Sequence, residues 1–537
     1  YGSPALRARA LRSLHRRCSP KGVVTRMMLR AGVAVALGAG AGACLWRWAR
    51  RRCTAALHPA LVDPRSGETL SKAAVFKLRR TLFCAAQSVS YANSDPLLAM
   101  SGSEHWLFDE QGRVYLDTRN NVAHVGHANK NVAAAVCAQV ATLNTNMRYI
   151  HPTVCLLARA LLATLPLPLS DGTVFFVNSG SEANDLALRL ARAHTGRIGT
   201  VVLEYGYHGH TIATLGISPY KFASKRAHPT ARQPDWVLTA PAPDLFRGPH
   251  RGDDAGERYS DYVRDACAGL ERRASLRGDP SLAVGAFLVE SGMSVAGVIV
   301  PPSGYLRRCY AAVRAAGGVC IADEVQTGLG RCGNGGWWAF ESGPSGNARK
   351  PTAPDIVTVG KPLGNGMPIA AVVCTREIAQ SFAAGPEYFN TFGGNPVCAA
   401  AALAMLSELE RLGLRARATA TGAELRAALG MLASAPHGLL IGDVRGEGLF
   451  VGLDFVTDRE TRAPATAEAS YLCSRLKERH RILTSLDGPS DNVLVIKPPL
   501  TFDSEAVRML VSALDEELRA LALVSPDELQ RRGHTPT

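Results

Sequence analysis

Short apolar segments alternate with amphipathic ones from about residue 170 onward. Each apolar segment has four to six residues, mostly aliphatic or aromatic, which is too short for a helix. Because successive positions are apolar, rather than every second one, these segments predict strands buried on both faces of a sheet. The predicted strands are Thr173–Val177, Thr200–Leu203, Val284–Val289, Gly318–Ala322, Ile356–Val359 and Ile369–Cys374.

The segments between these strands have helical periodicity. Glu182–Ala193 and Tyr305–Ala316 are predicted helices, and Gly317 ends the second. This alternation predicts an α/β fold with a mostly parallel sheet and helices on both faces. After about residue 376, helices such as Ala399–Leu412 and Tyr471–Glu478 outnumber strands, which predicts a smaller α+β C-terminal domain.

The length of the chain and its segments rich in Gly and Pro indicate the domain boundaries. The chain has 537 residues, 47% hydrophobic and 20% charged, which is enough for two to three domains. We predict an N-terminal segment 63–125 that joins the small domain, a large domain 126–375, a small domain 376–525 and a tail 526–537. Residues 223–256 and 341–354, rich in Gly or Pro, are predicted loops.

Positive charge is concentrated at the N-terminus. Residues 1–62 hold twelve Lys and Arg and no Asp or Glu, so the net charge of +14 leaves about +2 on the rest, which argues against a nucleic-acid partner. The same segment encloses the apolar run Ala31–Trp46, which is shorter than the ~20 residues of a bilayer span. We expect residues 1–62 to be a mitochondrial targeting segment. Two alternatives stay open: a secretory signal cleaved at Ala41–Ala43, and a membrane anchor through residues 31–46 with a cytosolic catalytic domain.

The cysteines follow no disulfide or zinc pattern. There are thirteen, without a C-x-x-C pair or a regular spacing. Such a set in a chain of this size predicts a reducing compartment and no metal site.

Polar residues follow several predicted strands, and the carboxyl ends of parallel strands meet at one edge of a sheet. Asn178–Glu182, NSGSE, opens a helix with small residues that leave backbone N–H groups for a phosphate, although a serine that merely caps the helix fits as well. Tyr207, in YHGH, offers a flat ring for stacking, but such a pair in a loop is often structural. The two histidines lack the carboxylate or thiolate of a metal site.

Two charged residues end later strands. Asp323, in IADEVQTG, needs a cationic or donor partner such as a protonated pyridine nitrogen. Lys361, in DIVTVGKPLGNG, becomes a nucleophile and a base if burial lowers its pKa, although a lysine that extends to water also fits. Together, a phosphate cup, a stacking ring, a carboxylate and a lysine are what pyridoxal 5′-phosphate requires of a protein.

The order and spacing of these motifs resemble those of the class III pyridoxal-phosphate aminotransferase family, a fold type I family. The resemblance covers about residues 90–520, and it implies a pyridoxal 5′-phosphate cofactor and the fold of a fold type I transferase. It rests on NSGSEAND (178–185), YHGH (207–210), ADEVQTGLGR (322–331), VGKPLGNG (359–366) and NTFGGNP (390–396).

The resemblance also implies residue roles. Lys361 forms the Schiff base with the cofactor, and Asp323 pairs with the pyridine nitrogen. The remaining cofactor residues are Ser179, Gly180 and Ser181 at the phosphate, Tyr207 on the ring with His208 beside it, Gln326 at the ring hydroxyl, and Thr391 at the phosphate of a neighbouring subunit. A homodimer, or a dimer of such dimers, is therefore implied.

Further stretches resemble one branch of the family, the ammonia-releasing phospho-lyases that act on ethanolamine phosphate or 5-phosphohydroxy-L-lysine. The chain departs from this branch at Met147, Met367 and Val495, where serine, histidine and lysine are usual, which leaves the substrate open. The stretches are NNVAHVGH (120–127), LNTNMRYIH (143–151), ISPYKF (217–222), EYFNTFGGNP (387–396) and DGPSDNVLVIKPPL (487–500).

The residues that hold a substrate carboxylate in many aminotransferases of the family are absent. Those enzymes use a gating glutamate after V-E-P and an arginine three positions before P-P. The matching positions here are segment 290–297, ESGMSVAG, and Val495. Without that pair a 2-oxo acid is poorly held, which favours the lyase branch.

We therefore expect a lyase that eliminates phosphate and ammonia from a phosphorylated vicinal amino alcohol and yields an aldehyde. Lys361 takes the proton from the amine-bearing carbon before phosphate leaves the adjacent one. Candidate substrate residues are Arg148, Tyr149, Lys221 and Lys497. The alternatives are an ω-aminotransferase with a keto-acid acceptor and a catalytically silent binding protein on the same fold; intact Lys361, Asp323 and Gln326 argue against the second.

Overall fold

The computed structural model describes residues 67–92, 95–222, 233–333, 335–341, 353–524 and 529. For Lys221 it describes the backbone but not the side chain. The predicted targeting segment and the end of the tail lie outside them. The chain divides into two units, 1–84 and 85–537. The described part of the first unit contains helix α1, Lys72–Leu82, which is capped by the Ser71 hydroxyl accepting a hydrogen bond from the Ala74 N–H at 3.1 Å.

The second unit begins with a short antiparallel meander. It consists of β1 (Ala99–Ser103), β2 (Trp106–Asp109) and β3 (Val114–Asp117). Helices α2 (Lys130–Thr142) and α3 (Pro152–Leu162) follow it. The sequence pattern did not predict these three strands, because they are short and most of their residues are partly exposed.

A seven-stranded sheet forms the centre of the second unit. One strand, Ala370–Cys374, runs antiparallel to both of its neighbours, and all other neighbouring pairs are parallel, so six of the seven strands point the same way. The mostly parallel sheet predicted from the sequence is therefore confirmed. The spatial order is β4 (Thr173–Val177), β10 (Ala370–Cys374), β9 (Ile356–Val359), β8 (Val319–Asp323), β7 (Val284–Glu290), β5 (Gly199–Leu203) and β6 (Val237–Ala240).

Helices cover both faces of this sheet. On one face, α4 (Gly180–Thr195) packs with Leu186 in an apolar cluster that includes Ile321 of β8. The one-turn helix α5 is Ile212–Gly216. On the other face lie α6 (Ala255–Arg277) and α7 (Tyr305–Ala315). Strands β7, β8 and β10 are buried at every position, because each residue faces one helical layer or the other.

The C-terminal part forms a smaller α+β arrangement. Its helices are α8 (Arg376–Ala383), α9 (Pro396–Arg411), α10 (Leu414–Ser434), α11 (Thr466–His480) and α12 (Ser504–Leu521). Its antiparallel sheet has the order β11 (Ile441–Glu447), β12 (Phe450–Phe455), β15 (Val493–Ile496) and β14 (Ser485–Asp487). Strand β13 (Ile482–Leu483) pairs in parallel with β3, so the N-terminal meander shares a sheet with the C-terminal part. The domain boundaries given above stay predictions.

The segment 223–256 contains more structure than the predicted loop. Its described part includes β6, and α6 begins at Ala255 near its end. The loop prediction is wrong at these positions because the four-residue strand is flanked by Pro234 and Pro241, which dominate the local pattern. An edge strand tolerates such neighbours, since one of its sides makes no ladder hydrogen bonds.

In the part of the chain that the structure covers, no helix combines the length and the hydropathy of a membrane span. The apolar run 31–46 is not included in that part.

Candidate functional site

Residues from several elements meet where the parallel strands of the central sheet end. Glu290 ends β7, Asp323 ends β8 and Lys361 closely follows β9. With the loop after β5 and the start of α4 they enclose a cavity of about 160 Å³, here called the strand-end cavity. Its lining is Gly180, Ser181, Asn184, Tyr207, His208, Gly209, Glu290, Asp323, Val325, Gln326 and Lys361.

The start of α4 presents backbone amides to this cavity. Ser179 is the N-cap, and its hydroxyl accepts a hydrogen bond from the Glu182 N–H at 3.2 Å. The amides of Gly180 and Ser181 lie in the first turn, which lacks intrahelical acceptors, and the helix dipole favours an anion there. A Cβ on Gly180 would lie 2.8 Å from Val325 Cγ1, so glycine is needed for the close approach. The arrangement suits a phosphate group.

Three donors hold the Asp323 carboxylate. Its Oδ2 accepts hydrogen bonds from the Asn184 side-chain amide at 2.7 Å and from His208 Nδ1 at 2.9 Å. Its Oδ1 accepts one from the Val325 N–H at 3.1 Å. A carboxylate has about four acceptor positions, so Oδ1 retains one. Because Asp323 lines the cavity, that position suits a protonated ring nitrogen.

Lys361 begins a 3₁₀ turn, Lys361–Gly364, directly after Gly360. Burial lowers the pKa of its ammonium group, although the Asp323 carboxylate opposes the shift, and the charge of Lys497 lowers the pKa further. A lowered pKa increases the fraction of neutral amine, which attacks carbonyl carbons and accepts protons. Lys361 therefore has the surroundings of a reactive lysine rather than of a solvated surface residue.

Tyr207 and Gln326 also line the cavity. The Tyr207 ring packs edge-on against Tyr220, with ring centroids 5.1 Å apart, which orients it. Burial raises the pKa of Tyr207 to about 12, so the phenol stays protonated at neutral pH. Gln326 accepts a hydrogen bond at Oε1 from the Asn121 side-chain amide.

Asn184 lines the cavity, although the sequence motifs indicated no role for it. Its Nδ2 donates to Asp323 and to the His208 carbonyl oxygen, the latter at 2.9 Å. Its Oδ1 accepts a hydrogen bond from the Thr358 hydroxyl at 2.7 Å. Asn184 lies four residues after Gly180, on the same face of α4, and this spacing could have indicated from the sequence that Asn184 lies at the site.

Glu290 was missed in the same way. Its carboxylate accepts hydrogen bonds from the N–H groups of Tyr207 at 3.0 Å and Ser294 at 3.2 Å. Burial raises the pKa of Glu290 to about 7. Glu290 pairs with Asp323 across the sheet. Both residues end neighbouring strands, and this alignment is the feature of the sequence that could have indicated a role for Glu290.

Of the candidate substrate residues, Lys497 lies near this cavity. Its Nζ donates to the Ser294 hydroxyl at 2.6 Å and pairs with the Asp487 carboxylate at 3.3 Å. Lys497 is buried, and its charge acts on Lys361. The side chain of Lys221 is outside the described part of the structure.

Arg148, Tyr149 and Thr391 do not contribute to the lining of the strand-end cavity. Arg148 lies 3.6 Å from Glu387 on the surface, with its guanidinium 4.3 Å from the centre of the Phe389 ring. Tyr149 is exposed, and so is Thr391. These predicted site residues therefore lie outside the cavity of their own chain.

The residues of the strand-end cavity fit pyridoxal 5′-phosphate. The first amides of α4 match its phosphate, the remaining acceptor position of Asp323 matches its ring nitrogen, and the Lys361 amine matches its aldehyde carbon. The Tyr207 ring supplies an apolar face beside them. Such an arrangement can activate the carbon that carries a substrate amine.

Comparison with known proteins shows similarity to one family and to several of its named members. Residues 89–518 match the family Aminotransferase class-III. A Drosophila melanogaster protein named alanine–glyoxylate aminotransferase 2-like is 45% identical over 446 residues, which cover 82% of this chain and 86% of that protein. A Caenorhabditis elegans protein named ethanolamine-phosphate phospho-lyase homolog 1 is 39% identical over 459 residues, covering 83% and 94%. A human protein named alanine–glyoxylate aminotransferase 2, mitochondrial, is 36% identical over 451 residues, covering 80% and 84%.

A solved structure shares the fold over nearly the same length. It is a phospholyase from Arthrobacter in complex with phosphoethanolamine, with a TM-score of 0.74 and 38% sequence identity. The match covers 84% of this chain and 100% of that chain. The predicted fold class, a fold type I α/β transferase, is thereby confirmed.

Proposed function

Because the chain belongs to the class-III aminotransferase family and is an enzyme that uses pyridoxal 5′-phosphate, we propose that it is a phospho-lyase. Its substrate is a phosphorylated vicinal amino alcohol. One water is consumed, phosphate leaves one carbon, the amine leaves the adjacent carbon as ammonia, and an aldehyde remains. The relative and the solved structure named for phospho-lyase activity support this reaction. The relatives named as aminotransferases keep transamination as the alternative.

The surroundings of Val495 favour the lyase over the transaminase. Val495 stands where many enzymes of the family have an arginine for the substrate carboxylate, and it is fully buried in an apolar cluster with Val298 and Phe450. The sequence from Ser291 to Gly297 contains no carboxylate. A 2-oxo acid acceptor therefore lacks the usual pair of partners, which is the observation that carries the proposal.

The residues of the chain divide the catalytic tasks. When bound, pyridoxal 5′-phosphate withdraws electrons from the amine-bearing carbon. Asp323, held by Asn184 and His208, stabilises a proton on the ring nitrogen. Lys361 Nζ takes the proton from the amine-bearing carbon. The Lys497 ammonium group stabilises the charge of the departing phosphate.

The proposed enzyme is a homodimer in which Thr391 reaches the phosphate site of the partner. The support is an exposed apolar surface around Thr391, whose carbonyl oxygen accepts a hydrogen bond from the Met147 N–H at 3.3 Å. Apolar residues exposed in this way usually mark an interaction site. The residues of this surface are Met147, Tyr149, Ile150, Phe389 and Phe392.

Mitochondria are the proposed location. The Arg-rich, acid-free composition of residues 1–62 supports it, and so does the human relative named as mitochondrial. Import of the full chain fused to a fluorescent protein, compared with a chain lacking residues 1–62, tests the proposal; equal mitochondrial import of both chains would contradict it.

The experiment for the lyase function measures phosphate release without any keto acid. O-phosphoethanolamine and 5-phosphohydroxy-L-lysine are each incubated with wild type, Lys361→Ala and, as a control, Lys130→Ala, which changes an exposed lysine at the start of α2. We expect release from at least one substrate by wild type and control, and a loss of about 10³-fold or more in Lys361→Ala. If wild type releases no phosphate but transfers the amino group once pyruvate is added, the transaminase alternative is correct.

A further inference from the structure

A second cavity lies next to the strand-end cavity. Its volume is about 460 Å³, and its walls include Tyr91, the turn at residues 117–122 and Leu483 of β13. Asn121 lines this second cavity, and its side-chain amide donates a hydrogen bond to Gln326, which lines the strand-end cavity. The two cavities therefore meet at this hydrogen-bonded pair, so a ligand that reaches from one cavity into the other must displace the Asn121 side chain.

Asp117 fixes the turn at one side of the second cavity. Its Oδ1 accepts hydrogen bonds from the N–H groups of Arg119 at 3.1 Å and Asn120 at 3.0 Å. Its Oδ2 lies 2.7 Å from His127 Nε2. With these partners the Asp117 side chain is 1% exposed, so the charge that Asp117 offers to a ligand is small.

Arg119 is the cation in this lining. It is half-buried, and its Nη1 donates to the Ser90 hydroxyl. Among the described residues, no carboxylate forms an ion pair with its guanidinium group. A guanidinium group has five N–H donors in a planar arrangement that matches a carboxylate, so it retains the capacity to bind one.

The rest of the lining includes aliphatic side chains. Leu97, Leu107, Val122 and Leu483 contribute to the walls. These residues favour methylene groups, whereas Arg119 favours an anion. A ligand that matches both is an aliphatic chain with a carboxylate at its end.

Resting on the lyase function proposed above, we infer that the second cavity binds the far end of a phosphorylated long-chain α-amino acid, with its carboxylate on Arg119. The reacting amine then lies at Lys361, and the methylene groups lie against the aliphatic walls. 5-Phosphohydroxy-L-lysine has such an end, whereas O-phosphoethanolamine has none. Arg119 thus determines which of the two substrates is preferred.

The first test compares kcat/KM for phosphate release from the two substrates. In Arg119→Gln, the value for 5-phosphohydroxy-L-lysine should fall about 10- to 100-fold more than the value for O-phosphoethanolamine, because a charge-assisted pair is lost from the longer substrate alone. Most of this loss should lie in KM, and Arg119→Lys should recover part of it. Arg264→Gln, on the exposed surface of α6, is the matched control and should leave the ratio unchanged. An unchanged ratio in Arg119→Gln would overturn the inference.

A second measurement separates this inference from the lyase function. L-lysine and cadaverine present the same terminal amine, but cadaverine lacks the carboxylate. Calorimetric titration of the holoenzyme should give about tenfold or tighter binding of L-lysine, and Arg119→Gln should remove the preference. If no phosphate is released from either phosphorylated substrate but this preference is found, the lyase proposal fails and the second-cavity inference stands. If phosphate is released and wild type shows no preference for L-lysine, the inference fails alone.

Discussion

Glu324 is a fully buried carboxyl group one residue after Asp323. Its Oε2 accepts a hydrogen bond from the Thr327 hydroxyl at 2.8 Å, and its Oε1 accepts one from the Phe340 N–H at 2.9 Å. Burial outweighs these bonds and raises the pKa of Glu324 from 4.5 to about 7. Between these two pH values the native state therefore holds a proton that the unfolded chain has lost.

We predict that Glu324→Gln gains stability relative to wild type as the pH rises. Because the native wild type binds the extra proton, its free energy of unfolding falls by ~1.4 kcal/mol per pH unit between these two pKa values. Glutamine does not titrate; its Oε1 can accept the hydrogen bond from the Phe340 N–H, and its amide can donate to the Thr327 hydroxyl oxygen. The free energies of unfolding of both proteins are measured with denaturant at both ends of that pH range. The value for Glu324→Gln minus the value for wild type should increase by about 3 kcal/mol from the lower pH to the higher.

The difference between the two proteins isolates Glu324 from other titrating groups. His124, whose pKa burial lowers to about 3, makes the native state more stable as pH rises, but it does so equally in both proteins. A stability difference that does not change with pH would contradict the prediction.

Individual site residues differ in how far the sequence revealed them. Asp323 and Lys361 were predictable because a charge at the end of an apolar strand needs a partner or a chemical role. Asn184 was not, because its role depends on Thr358 and Asp323, which are far from it in the sequence. Local patterns do not encode such tertiary hydrogen bonds.

At the scale of elements, the start of α4 is set by its contact with the loop after β8. Gly180 leaves no room for a side chain beside Val325, and the amides of this first turn face the strand-end cavity. The position of the helix thus controls where a phosphate group can bind.

We predict that Gly180→Ala weakens binding of pyridoxal 5′-phosphate about tenfold or more, because the new methyl group displaces either Val325 or the helix start. Combining it with Val325→Ala should restore part of the affinity. Gly430→Ala, in α10, is the matched control, since a Cβ there meets nothing within 4 Å. Cofactor titration of the apoenzymes measures the effect, and a double variant no better than Gly180→Ala would argue against this geometry.

The sequence predicted some elements better than others. Strands buried on both faces were located to within a residue or so, because continuous apolar runs mark them. β6 was hidden between prolines, and β1–β3 have partly exposed residues. The pairing of β13 with β3 joins distant parts of the chain, so no local pattern indicates it.

At the scale of the whole molecule, the exposed apolar surface around Thr391 is the feature that the single chain leaves unexplained. Ile150 is 94% exposed and Phe392 is 63% exposed. Large apolar side chains grouped on one surface in this way are unusual in an isolated molecule and mark an interaction site. In the homodimer proposed above, a second copy of the chain buries these side chains, and Thr391 reaches the phosphate site of that copy.

We predict that Ile150→Asp combined with Phe392→Asp shifts the dimer to monomer and weakens cofactor binding. Buried, unpaired carboxylates at an interface oppose association. Leu276→Asp, which changes an exposed leucine of α6, is the control and should stay dimeric. Light scattering after size exclusion gives the mass, and a double variant with the mass and cofactor affinity of wild type would refute the proposed interface.

The most direct test of the lyase function is the product balance without an acceptor. The holoenzyme is mixed with a large molar excess of 5-phosphohydroxy-L-lysine or O-phosphoethanolamine, and phosphate and ammonia are counted per enzyme molecule. A lyase needs no second substrate, so we expect many turnovers with equal amounts of phosphate and ammonia. A reaction that stops at or before one amino transfer per enzyme, releases no phosphate, and resumes only when pyruvate is added would contradict it.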